Sequence, residues 1–320
     1  MLARHAENLF WTGRYIERAE DTARLLDVTY HGLLEVSPTE AVRAWRDVLD
    51  VLRLTAGFEL ERRTIDGPTV SRHLAVDADN PGSIVSAVTR ARDNLRSVRE
   101  LVPTELWEGV NRFHLDLHAR DLTSDIEIQP HELYAFVKRR CQMVAGVAAE
   151  TMTREDGWRF LQIGWMLERA EMTCRLLLVR WTGEHHVGSH HLVGTLKSAS
   201  ASEAYRRAHR GSIEPAEVLE FLLLSRRFPR SVLFCLRRAE ADLELLGDAD
   251  GRQLPRPARL LGRVRADLEY RDIDDVLADG VGQYLEQLQA GVHQVAEAVA
   301  LEYFRNSLEL DLHALVGTSA

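Results

Sequence analysis

Apolar residues recur at intervals of three and four along most of this chain, the spacing that gathers them on one face of an α-helix. The periodicity predicts helices near residues 2–35, 38–56, 83–101, 103–119, 130–151, 154–182, 191–210, 215–224, 229–246, 255–268 and 280–313. The last carries Tyr284, Leu285, Leu288, Val292, Val295, Val299, Phe304 and Leu308, the stripe of a long packing helix. Boundary chemistry agrees. Ser37-Pro38-Thr39-Glu40 and Ser200-Ala201-Ser202-Glu203 read as capping boxes, the first with Pro at the opening helical position. Thr153-Arg154-Glu155-Asp156 places acids at the start of a helix. Pro81-Gly82-Ser83, Pro103-Thr104-Glu105, Pro130-His131-Glu132 and Glu214-Pro215-Ala216-Glu217 read as breaks followed by new helices. Thr64 to Asp79 reads as an irregular connection. Alternating β-branched runs are missing, and no Asn-Gly or Asp-Gly joins two such runs. The expected fold is therefore all-α, a multi-helix bundle in a single domain over 1–320.

Beneath this periodicity lies a repeat. Gly13 to Val28 reads GRYIERAEDTARLLDV, and Gly164 to Val179, 151 positions later, reads GWMLERAEMTCRLLLV. The shared positions include Gly13/Gly164, Glu17/Glu168, Arg18/Arg169, Glu20/Glu171 and Arg24/Arg175. An apolar stripe recurs in any helix, but a Glu-Arg-Ala-Glu-x-Thr-x-Arg pattern recurs where its charges have fixed places. The bundle is thus expected to consist of two related halves, about 1–152 and 153–320, each opened by a long helix bearing the motif.

At about 100° per residue, Gly13, Glu17, Glu20 and Arg24 share an arc about 60° wide. Arg18 and Arg169 lie about 90° off that arc, outside its expected reach. In the second copy the flanks Leu161, Trp165, Met172, Leu178 and Val179 are apolar. A helix apolar nearly all round is a buried one, so Glu168, Glu171 and Arg175 read as buried charges, costly unless paired. If the two helices face each other, four acids and two Arg leave a formal balance of −2. Arg226, Arg227 and Arg230 around the Phe228-Pro229 turn, a metal ion or a ligand amine are candidates to offset it. Three readings stand side by side. The charges form a structural lattice that sets helix register, or they line a ligand or catalytic pocket, or they hold a divalent metal. Ferritin-like bundles use Glu-x-x-His, which neither copy has, although four carboxylates suit Mg²⁺ or Mn²⁺.

Composition narrows the classes. A hydrophobic share of 45% supports a sizeable core, and a net charge of −9 leaves no general basic footprint for nucleic acid. Arg4, His5 and Glu7 stand where a signal peptide needs an apolar run, and the longest aliphatic runs are too short to cross a bilayer. Cys141, Cys174 and Cys235 are scattered in apolar stretches and read as buried reduced thiols. A cytoplasmic location without membrane or nucleic-acid partners is expected. His185, His186, His190 and His191 form a His-rich tract, open to a metal-binding or a solvated-loop reading. His114 and His118, with Asp116 and Asp121 nearby, have a spacing that can chelate Zn²⁺. The basic clusters, Arg206-Arg207 among them, could meet an acidic partner or phosphates, although solvated helix faces account for most of them. Arg226, Arg227 and Arg230 differ in sitting at a helix break, ahead of a capping Ser231, where an anion or an acidic partner would fit. Gly-rich phosphate loops, Gly-x-Ser-x-Gly and Cys-x-x-Cys are missing, so no common motif for binding ATP is present.

The opening Arg4-His5-Ala6-Glu7-Asn8-Leu9-Phe10-Trp11-Thr12-Gly13-Arg14-Tyr15-Ile16-Glu17-Arg18-Ala19-Glu20 resembles the start of the bacterial alpha-E family. The resemblance continues through Ala91-Arg92-Asp93-Asn94, Leu106-Trp107-Glu108, Glu168 to Glu171, Ala204-Tyr205-Arg206-Arg207 and the stretch from Phe221 to Val232. One departure is Ser225, where the family pattern leads one to expect Asp. The resemblance implies an all-helical protein without an assigned activity, encoded beside or fused to a circularly permuted ATP-grasp ligase, with transglutaminase-like peptidases as frequent neighbours. It further implies that ATP and Mg²⁺ belong to the ligase. In that setting the chain is expected to act as a helical partner in a peptide synthesis or modification system, with a peptide or amino-acid-derived substrate held at the Glu/Arg cluster. Two rivals remain. One is a stand-alone enzyme using Glu17, Glu20, Glu168 and Glu171 as acid/base residues, with Arg14, Arg24 and Arg175 orienting the substrate. The other is a scaffold without an active site.

Overall fold

The computed structural model describes residues 1–33, 36–61, 63–182, 189–247 and 254–304, with side chains described except at 189 and 190. Among the described residues there are helices and no strands. The first is α1 (Ala3–Gly32), followed by α2 (Pro38–Val51), α3 (Thr55–Leu60) and α4 (Gly67–Ala75). Next come α5 (Ile84–Ser97), α6 (Thr104–His118), α7 (Leu122–Ile128), α8 (Pro130–Thr151) and α9 (Asp156–Thr182). The chain continues with α10 (Ser189–Ser198), α11 (Ser202–Ala208), α12 (Pro215–Leu224) and α13 (Val232–Leu245). It closes with α14 (Arg256–Glu269), α15 (Ile273–Asp279) and α16 (Val281–Val299), which runs into a π turn at Ala300–Phe304.

Most boundaries follow local chemistry. The capping box at Ser37 and Glu40 forms, and Ser231 caps α13 by accepting from the Phe234 N–H. Several expectations need correction. The helix expected over 38–56 breaks at Arg53, whose φ of 59° is left-handed, and α3 starts beyond it. Thr64 to Asp79 is not irregular throughout, because Asp66 accepts from the Thr69 N–H and starts α4. Asp121 and Asp272 start α7 and α15 in the same way, two short helices that the apolar periodicity had not marked. The helix expected over 191–210 divides into α10 and α11. Ser200 there has a φ of 56° and no capping box forms, so Ala201 precedes α11 without a side-chain cap. The end of the helix expected over 280–313 lies outside the described residues.

The core is built around α1 and α9. These two helices pack on each other at Gly13 and Gly164, α1 also packs on α5 and α8, and α9 on α13 and α16. Both central helices are therefore covered on most sides, which places the repeated charges in the interior. Cys141, Cys174 and Cys235 are buried free thiols. No helix among the described residues is long and apolar enough to cross a membrane.

Candidate functional site

The two copies of the repeated segment exchange their charges. Arg18 on α1 donates from Nε to Glu168 at 2.7 Å. Arg169 on α9 donates to both oxygens of Glu17, 2.7 Å each. The Glu of each copy thus accepts from the Arg that follows the Glu of the other. Glu17 is 2% exposed and Glu168 is 1% exposed. Bidentate Arg–carboxylate pairing is the geometry in which a buried ion pair recovers most of its desolvation cost.

A second ring of pairs surrounds this exchange. Within each helix an acid meets an Arg four residues on: Glu20 with Arg24, and Glu171 with Arg175 at 3.0 Å. Around Glu168 and Glu171 the remaining cation is Arg14, at 2.6 and 2.8 Å. The corresponding place on the other side is filled by Arg230, because Arg14's counterpart in the second copy is Trp165. Arg230 lies 2.7 Å from Glu17, 3.1 Å from Glu20 and 2.6 Å from Asp21. It reaches them from the turn before α13, which Ser225 shapes by accepting from the Phe228 N–H at 3.2 Å. Thr173 on α9 fastens the same turn by donating to the Arg230 carbonyl at 2.9 Å.

The electrostatics follow. Burial pushes the Glu17 carboxyl up, but Arg169 and then Arg230 outweigh it and hold it down at about 2. Glu168 is held down to about 2 in the same way by Arg14 and Arg18. Asp21 goes the other way. Burial, offset by Arg230 and reinforced by Glu17 and Glu20, raises it to about 7, and its Oδ2 has no partner among the described residues.

These contacts correct the expected site. Arg18 and Arg169 reach the cluster, since a guanidinium at the end of four bonds bridges a 90° offset that a wheel drawn at the Cα positions does not. Among the described residues the cluster holds five carboxylates (Glu17, Glu20, Asp21, Glu168, Glu171) against six Arg (14, 18, 24, 169, 175, 230), so the expected deficit of cations is an excess of one. A divalent metal does not fit, because a cation placed here would face guanidinium groups already bound to the oxygens it needs. Among the described residues no group of His, Cys, Asp and Glu could hold a metal ion. His118 bonds through Nδ1 to the His114 carbonyl at 2.9 Å. His185 and His186 lie outside the described residues, as does the side chain of His190, while His191 is exposed on α10.

The basic residues expected to face a partner separate into two sets. Arg230 is interior and belongs to the cluster. Arg226, Arg227, Arg206 and Arg207 are exposed, Arg226 lying 3.1 Å from Glu269. The departure at Ser225 leaves the turn intact, because its hydroxyl does the capping that an Asp would do. Sequence reasoning had not assigned Asp21, whose counterpart in the second copy is Met172.

The Alpha-E family model, described as a predicted alpha-helical domain with a conserved ER motif, matches residues 1–304. In this chain that dipeptide occurs in both repeat copies, as Glu17-Arg18 and Glu168-Arg169, the four residues that exchange charges. Uncharacterised proteins of Mycobacterium bovis (strain ATCC BAA-935 / AF2122/97) and Mycobacterium tuberculosis (strain CDC 1551 / Oshkosh) are each 28% identical over 315 residues. One from Mycobacterium tuberculosis (strain ATCC 25618 / H37Rv) is 27% identical over 315 residues. Each alignment covers 92% of this chain and 35% of the relative, so the chain spans about a third of the length of these proteins. No solved structure matches the chain.

Proposed function

This chain belongs to the Alpha-E family, and we propose that it serves as the helical partner of a circularly permuted ATP-grasp amide ligase in a peptide synthesis or modification system. In this reading the Glu/Arg cluster is an internal brace that keeps a docking face rigid, not a reaction centre. One observation carries that choice: Glu17, Glu20, Glu168 and Glu171 are buried and each already accepts from guanidinium groups. Glu17 and Glu168, held well below the usual carboxylate range, are poor proton acceptors, and all four carboxylates have little left for a substrate amine. The relatives lend support to partnership, since the stretch they share with this chain is 35% of their length. ATP and Mg²⁺ enter with the ligase, the substrate is a peptide or an amino-acid derivative, and a transglutaminase-like peptidase trims the product. The proposed docking face includes the exposed Arg226, Arg227, Arg206 and Arg207.

The test is a pull-down of the full chain with the ligase encoded beside it, followed by ATP turnover. The expected result is a complex, weakened by Arg226→Ala/Arg227→Ala with only a small change in the melting temperature of the free chain. Failure of the wild-type chain to form a complex would overturn the partnership.

A catalytic reading draws on one feature, the protonatable Asp21, whose Oδ2 has no partner among the described residues. It requires that Asp21→Asn abolish turnover of the assembled pair while leaving the complex and the fold in place.

A further inference from the structure

At the C-terminal ends of α1 and α9, next to the brace, a throat of about 120 Å³ opens into a cleft of about 1050 Å³. The throat is framed by α1, α2, α9 and α10, and its apolar wall includes Leu25, Val28, Val48, Leu176 and Val179. Engineered apolar cavities of about 150 Å³ accept a benzene-sized guest, so this one takes a branched aliphatic side chain. Asp47 and Arg180 on its lining carry charge, and the titratable His191 lies on the same lining. Asp47 sits 3.3 Å from Arg180, and among the described residues the buried Nε of Arg180 has no partner. Thr195 and Ser198 add hydroxyls. Gly32 and Gly194 line both the throat and the cleft, and among the described residues a Cβ on either would meet nothing within 4 Å. The cleft beyond carries three acids, Asp27, Glu40 and Glu203, with Lys197 as a cation among them; Asp27 is already paired with Lys138 and Glu40 accepts from the Ser37 N–H. Asp47, its side chain 40% exposed at the edge of this aliphatic throat, suits an ammonium group attached to an apolar side chain.

We propose that this cleft binds an aliphatic residue bearing a free α-ammonium group, with the side chain in the throat and the ammonium at Asp47. The same chemistry is offered by a free amino acid and by the N-terminal residue of a peptide. The width of the cleft beyond the throat favours the peptide, whose following residues would run out past Ser200 and Ser202. The site stands on the cavity alone and does not depend on a ligase partner.

Calorimetric titration of the full chain tests it with L-leucine, leucinamide, N-acetyl-L-leucine, glycine and the tripeptide Leu-Gly-Gly. The expected result is binding of every leucine compound with a free amine, and binding about tenfold or more weaker for glycine and N-acetyl-leucine. Leu-Gly-Gly binding tighter than L-leucine identifies a peptide N-terminus, and the reverse order identifies a free amino acid read at its carboxylate by Arg180. Asp47→Asn should weaken the amines about tenfold or more. Gly194→Leu should abolish binding by filling the throat, and since it puts a better helix former on α10 the variant is expected to stay folded. The proposal is overturned if no leucine compound binds at millimolar concentration. It is equally overturned if N-acetyl-leucine binds as well as leucine, or if folded Gly194→Leu binds like the wild type.

Discussion

Gly13 and Gly164 fix how closely α1 and α9 approach, each lying under the backbone of the opposite helix. A Cβ on Gly13 would stand 2.2 Å from the Leu161 carbonyl oxygen, and one on Gly164 would stand 2.1 Å from that of Phe10. Leu161 follows Phe10 by the same 151 positions that separate the glycines, so the approach is reciprocal. The Glu-Arg exchange lies one turn further along both helices and depends on it.

Substituting either glycine is therefore expected to separate the helices. Ala gains about 1 kcal/mol of helix propensity, but an overpacking cost of about 3 kcal/mol against rigid backbone outweighs it. Gly13→Ala and Gly164→Ala should each lower the urea midpoint. Gly146→Ala on α8, where among the described residues a Cβ would meet nothing within 4 Å, should raise it. Equal midpoints for all three would show that the close approach is not needed.

Removing one acid of the exchange should cost more than any surface pair. Glu168→Gln leaves Arg14 and Arg18 facing a neutral amide in the interior, a loss of about 3–5 kcal/mol for a buried pair broken from one side. Arg18→Lys should cost less, since it keeps the charge but loses the two-point contact. Equilibrium unfolding of both variants checks the order, and a cost under about 1 kcal/mol for Glu168→Gln would place the pair in the class of solvent-screened bridges.

Arg230 and Arg226 are four residues apart and should behave in opposite ways. Arg230→Ala strips the cation shared by Glu17, Glu20 and Asp21, and is expected to lower thermal stability sharply. Arg226 has a side chain 61% exposed, and its bridge to Glu269 should contribute about 1 kcal/mol or less. Melting curves of the two variants decide it.

The pH dependence has two arms. Unfolded Glu17 and Glu168 titrate near 4.5 but near 2 in the folded chain, so their stabilisation is full above about pH 4.5 and is lost as the pH falls towards 2. Asp21 titrates at its usual 3.8 when unfolded and at about 7 when folded. Its contribution is therefore full below about pH 4 and fades as the pH rises to about 7. The melting temperature of the wild type should fall between pH 5 and pH 7 relative to that of Asp21→Asn, which lacks the titrating group. Parallel curves for the two proteins would remove Asp21 from the account.

The sequence by itself determined the helical class, the start of α2 at the Ser37 box, the cap at Ser231 and the burial of the repeated charges. These follow from short-range rules: periodicity of 3.6, side-chain caps, and the apolar flanks of Glu168 and Glu171. The short helices α4, α7 and α15 were hidden because few apolar positions mark them, although Asp66, Asp121 and Asp272 carried the capping signal. Only the tertiary structure decided which charges meet. Arg18 and Arg169 enter the cluster because a long side chain reaches across a crossing made tight by two glycines. Arg230 enters because a turn 213 residues from Glu17 folds over α1. Pairings of this kind depend on the distance and angle between helices, which no single helix encodes.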